Sequence, residues 1–177
     1  DSVELEDGET LPNVYLLHGD LTDKELNSLY NHNKVKTHIT FTKGEGFGRP
    51  LLEASLTGKP IIAPGWSGHM DFLNPKQSIL LGGELEDIHP SAIYDGIIIE
   101  GAKWMSVDTN MAATAMVEAF RNYKPWRAKA KKLAKANKSI FNSISMHTSI
   151  QQKIAACIEI NLNSQKFSDC LWINSNS

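Results

Sequence analysis

The chain is poor in cysteine, has no long apolar run and carries no excess charge of either sign. Its two cysteines, Cys157 and Cys170, lack C-x-x-C spacing and make no disulfide framework in 177 residues. Free thiols in a reducing compartment are therefore expected. The six histidines form no H-x-x-x-H pair, so no metal signature is present. No apolar stretch approaches the roughly 18–20 residues of a membrane span. The chain starts Asp1-Ser2-Val3 with neither Met nor signal peptide, which reads as part of a longer gene product. Eighteen basic against 20 acidic residues give a net charge of −2, which argues against a general nucleic-acid binder. With 41% hydrophobic and 21% charged residues, the composition is that of an ordinary globular protein.

The charge is unevenly placed. Residues 1–25 hold eight acids and one Lys, whereas residues 121–138 hold eight of the basic residues and no acid. Ala130, Leu133, Ala134, Ile140, Phe141 and Ile144 fall near one stripe at helical spacing. The basic segment thus reads as the solvated face of an amphipathic helix, with attraction to an anionic membrane surface or acidic substrates as the second option. A cytoplasmic place, at most in peripheral contact with the inner membrane face, is the expectation.

Along the chain, short apolar runs alternate with helical stretches. Val14-Tyr15-Leu16-Leu17 reads as a buried strand. Thr22 and Glu25 have the spacing of a capping box, opening a helix with Leu26, Leu29 and Tyr30 on its apolar face. Residues 38–42 read as a second strand. Pro50 lies in the first turn of a helix that Gly58 ends. Residues 60–63 and 78–81 read as further short strands, and Ser67–Phe72 as a loop entering a helix. Ile97–Ile99 reads as a strand and the acidic stretch 84–87 as surface loop. Asp108 or Thr109 caps a helix running to about Asn122, Pro125 opens the basic helix, and a last helix covers 148–161. Strands alternating with helices predict an α/β fold, a Rossmann-like, mostly parallel sheet flanked by helices.

The stretch that carries chemistry is Gly44-Glu45-Gly46-Phe47-Gly48-Arg49-Pro50-Leu51-Leu52-Glu53-Ala54, between a strand and a helix. In such sheets ligands bind beyond the carboxyl ends of the strands. A turn of small residues lets backbone amides approach an anion, and Glu45 and Glu53 can accept hydrogen bonds from sugar and ribose hydroxyls. The spacing is G-x-G-x-G, not the G-x-G-x-x-G of nicotinamide-dependent enzymes.

Together with Gly58 and Pro60, this stretch resembles the E-G-F-G-x-P-x-x-E-A motif of retaining glycosyltransferases of the two-domain GT-B fold, specifically their family 4 or group 1 type. The resemblance runs from about Val14 to Leu73 and more weakly from Trp104 to Ile160. It implies that residues 1–161 are a partial C-terminal, donor-binding domain and that 162–177 are a tail. Its implied function is transfer of a sugar from a nucleotide-sugar donor to an acceptor with retention, without metal or other cofactor. Glu45 would lie by the developing charge at the anomeric carbon as the catalytic residue. Gly46, Phe47, Gly48 and Gly68 would offer backbone groups to the donor, Glu53 would bind ribose hydroxyls, and Arg49 would supply part of the phosphate charge.

The family's G-R-x-x-x-K-G pattern and its N-terminal acceptor domain are absent here, and Ser67 and Asp71 stand where the family usually has a Gly and a Glu. The block 82–103 looks like a family-variable insertion. The expected partners are therefore a nucleotide sugar and either the missing acceptor domain or another chain, including a second copy. Alone, the chain is expected to be poorly active or inactive. Two alternatives stay open: a non-catalytic sugar-nucleotide binding module that pairs with another chain, and a GT-B relative such as a nucleotide-sugar epimerase.

Overall fold

Four consecutive apolar residues, Ile61–Pro64, form strand β2, and all four are buried. A strand turns alternate side chains to opposite faces, so a run buried throughout must be covered on both. The computed structural model describes residues 11–94 and 97–142, with residues 146, 148, 151 and 152 further on. Within it, β2 lies between β1 (His38–Ile39) and β3 (Ile79–Leu81), both parallel to it, in the order β1-β2-β3. Helix α2 (Arg49–Ser55) connects β1 to β2, and a 3-10 turn (Gly68–Asp71) follows β2.

Each face of β2 has its own core. Ile61 and Ala63 pack with Leu51, Ala54, Phe72, Leu73 and Leu133, beneath α2 and α4 (Tyr123–Ile140). Ile62 packs with Leu81, Ala112, Ala115 and Ala119 of α3 (Thr109–Arg121) on the other face. Burying a side chain such as Leu133 stabilises the fold by about 1.5–3 kcal/mol. Helix α4 is tied to α2 by a buried polar bridge, in which Asn137 Nδ2 donates to Ser55 Oγ at 2.8 Å and to the Phe72 carbonyl at 3.3 Å. The fold class is thus α/β with a small parallel sheet between helical layers. None of the helices among the described residues is long and apolar enough to cross a membrane.

Several local expectations hold. The Thr22–Glu25 capping box forms at the start of α1 (Asp23–Asn31). Asp108 caps α3 by accepting from the Met111 amide at 2.7 Å. Helix α4 begins two residues before Pro125, which lies in its first turn.

Others are corrected. Val14–Leu17 is not a strand, and its side chains are 64–90% exposed. It has the composition of a strand but, among the described residues, no neighbour to take its backbone hydrogen bonds, for it is not paired with β1. The second strand is only two residues long, because Thr40 makes the last ladder bond to β2 before the chain turns away. The acidic stretch is not a loop: Gly83–Asp87 is strand β4, antiparallel to β5 (Lys103–Val107). Both faces of β4 are exposed, so no apolar alternation marks it. Ile98 makes a single bridge to Tyr94 and no strand. Helix α1 buries no residue, and Ile140 is 56% exposed while Asn137 takes a buried place on the stripe. Ile144, both cysteines, the tail 162–177 and most of the expected helix over 148–161 lie outside the described residues.

Candidate functional site

The site begins where β1 and β2 end. Glu45 and Ser67 are knotted there: the Glu45 N–H donates to Ser67 Oγ at 2.8 Å, and that hydroxyl donates back to the Glu45 carbonyl. The Gly68 N–H donates to the same carbonyl at 3.0 Å. A Cβ on Gly68 would overlap the Gly46 carbonyl group, so only glycine lets the two loops cross this closely. The backbone of Glu45 is therefore fixed by the β2 loop, while its half-buried carboxylate makes no hydrogen bond or ion pair among the described residues.

The glycine turn follows. Gly48 sits at φ 83°, a left-handed conformation suited to glycine, and precedes α2. A Cβ there would press on His69 at 3.1 Å. The N–H groups of Gly46, Phe47 and Gly48 donate to no acceptor among the described residues, while the Gly48 carbonyl accepts from Leu51 and Leu52. The Phe47 ring holds the turn from beneath, 5.2 Å from the Phe72 ring and 5.9 Å from that of Phe141 at the end of α4. Edge and tilted ring contacts of this kind add about 0.5–1.5 kcal/mol beyond area burial.

Arg49 and Glu53 stand one turn apart on α2, joined by an ion pair at 2.6 Å. Arg49 is 78% exposed, so solvent screening leaves the pair little weight in stability. They line a groove of about 370 Å³ between α1 and α2 together with Asp23, Asn27, Tyr30 and Lys138. Burial, followed by the Glu53 charge, raises the Tyr30 hydroxyl above its ordinary pKa and keeps it a neutral donor. The structure thus forms two groups: Glu45, Gly46, Phe47, Gly48 and Gly68 around the loop crossing, and Arg49 with Glu53 in the groove.

Four residues take places in this neighbourhood that the sequence did not assign to them. Ser67 ties the two loops. His69 is fully buried, and its Nε2–H donates to the Pro64 carbonyl at 2.6 Å, which leaves Nδ1 without a partner among the described residues. Since that carbonyl can only accept, Nε2 carries a proton. Asn137 and Lys138 come from α4. An Asn at an apolar-stripe position was the available signal for the first of these two. Among the described residues, no group of three or more His, Cys, Asp or Glu could hold a metal ion. No protein-family model matches the chain, and no curated protein is significantly similar to it in sequence.

Proposed function

We propose that the chain is the donor-binding half of a retaining glycosyltransferase that uses a nucleotide sugar. The observation that carries this reading is the run of free amides at Gly46, Phe47 and Gly48 beside the unpaired Glu45 carboxylate, at the carboxyl ends of parallel strands. Successive free amides in a glycine turn suit the oxygens of a sugar diphosphate. A carboxylate with fixed backbone and no partner suits positive charge developing at an anomeric carbon, where a preorganised charge lowers the barrier.

In this reading Glu53 accepts from ribose hydroxyls while Oε1 holds Arg49, and the Arg49 guanidinium adds positive charge near the phosphates. Gly68 acts through the loop crossing it permits. The acceptor is held by a further domain or another chain, and the partial GT-B domain contributes one wall of the cleft. No metal takes part. Calorimetric titration of the chain with a panel of nucleotide sugars tests the assignment. Glu45→Ala and Glu53→Ala should each weaken binding about tenfold or more, as loss of a hydrogen bond to a charged group does. Unchanged affinity in both variants rejects the site.

A second reading, a non-catalytic binding module that pairs with another chain, is favoured by the exposed Val14–Leu17 segment and the open edge of β1. It expects binding without turnover even when an acceptor domain is supplied. An epimerase would turn over with no acceptor at all.

A further inference from the structure

Helix α4 carries five cations in line. Lys124, Arg127, Lys131, Lys135 and Lys138 are spaced three, four, four and three residues apart, which at 3.6 residues per turn puts them on one face of the 18-residue helix. Lys129 and Lys132 lie well away from that face, and Lys129 covers the Trp126 ring at 3.8 Å. The cationic row runs beside α2. Lys131 approaches Gly58, Lys131 and Lys135 border a hollow of about 310 Å³ with Thr57 and Gly58, and Lys138 lines both this hollow and the groove that holds Arg49 and Glu53. The two hollows also share Leu56 and Thr57, so they adjoin and together make up a trough beside α2.

The charges along this trough do not balance. Arg49, Lys131, Lys135 and Lys138 face only Asp23 and Glu53, and Glu53 is already paired with Arg49. Among the described residues, the three lysines make no ion pair. Lysines one helical turn apart are close enough for one anion to bridge them, and in the free chain their like charges repel. A bound anion would remove that repulsion and gain charge-assisted hydrogen bonds.

We infer that the trough beside α2 is a binding site for a small phosphorylated molecule, its phosphates held by Lys131, Lys135 and Lys138 with Lys138 as the pivot between the two hollows. The site is distinct from the free amides of the glycine turn. Asn27, Tyr30 and Thr57 offer the polar contacts for the rest of the ligand, and Tyr30 remains neutral. Because Lys138 and Glu53 share a wall, occupancy here acts directly on whatever Glu53 holds.

Titration of the full chain with inorganic diphosphate at low ionic strength tests this site. Lys138→Gln and the Lys131→Gln/Lys135→Gln pair should each weaken binding about tenfold or more, as loss of a charge-assisted contact does. The pair Lys129→Gln/Lys132→Gln, which removes the same charge from other faces, should leave affinity within about twofold. Equal losses in both pairs would reveal an unspecific charge effect and overturn the site, as would failure to bind diphosphate. Sedimentation with vesicles of phosphatidylcholine and phosphatidylglycerol separates the sources: binding to vesicles but not to diphosphate assigns the lysine row to a lipid surface and overturns the small-ligand site. Diphosphate binding that depends on Lys138, in a chain whose nucleotide-sugar affinity ignores both Glu45→Ala and Glu53→Ala, upholds this site while the donor reading fails.

Discussion

Val14–Leu17 and Ile61–Pro64 are both runs of four mostly apolar residues, and they end in opposite environments. Ile61 and Ile62 are 0–1% exposed, whereas Val14 and Leu16 are 89–90% exposed. Local composition does not separate them. The difference is that β2 has a strand on each side and helices on each face, while the earlier run has none of these among the described residues. A strand is a property of its neighbours as much as of its residues.

The largest expected effect tests that contrast directly. Ile62→Ala should destabilise the fold by about 2–5 kcal/mol, because a fully buried side chain leaves a cavity. Leu16→Ala should change stability by no more than about 0.5 kcal/mol. Chemical denaturation of the two variants decides the matter: a large loss from Leu16→Ala would mean that the N-terminal run is buried after all, in the same chain or against another.

Next in size is a contrast between two glycines of the site. Gly68→Ala should cost about 1–3 kcal/mol through forced separation of the two loops, and should weaken ligand binding with it. Gly46→Ala meets no atom within 4 Å and should be close to neutral in stability. Thermal unfolding of both variants checks this, and equal midpoints would refute the tight crossing.

At the open end of the molecule, Thr22→Ala should cost about 1 kcal/mol of α1 stability by removing the capping hydroxyl. Faster amide exchange confined to α1 is the expected signature. The smallest effect concerns pH. His38, packed edge-on by Tyr30 at 5.6 Å, has its pKa lowered by burial from its usual value near 6.5. The folded chain therefore binds this proton less readily than the unfolded one. The stability contributed by neutral His38 is complete above about pH 6.5 and is lost as pH falls through the lowered value. His38→Gln should flatten that part of the stability profile, and an unchanged slope would assign it elsewhere.

What could be read from the residues follows the same contrast. The ends of α1, α2 and α3 were legible in Thr22, Glu25, Pro50, Gly58 and Asp108, because caps act within one turn. The strands at 61–64 and 79–81 were legible because apolar residues dominate them. The hairpin of β4 and β5 was not, since Glu84-Leu85-Glu86-Asp87 is exposed on both faces and its pairing partner lies beyond an intervening block. The glycine turn was marked by its spacing. The contacts that support it, from Ser67, Asn137 and Phe141, were hidden because each reaches a residue far away in sequence.

That distance has a consequence for how the protein is made. Asn137 grips Ser55 across 82 residues of chain, and Phe141 closes on Phe47 at the same seam. Closing so long a loop is entropically costly and comes late in folding. On the ribosome, the glycine turn would leave the exit tunnel long before the helix that shapes it. Until α4 docks, a nascent chain exposes Phe47 and Phe72 together, and a chaperone that recognises aromatic clusters has its opportunity in that interval.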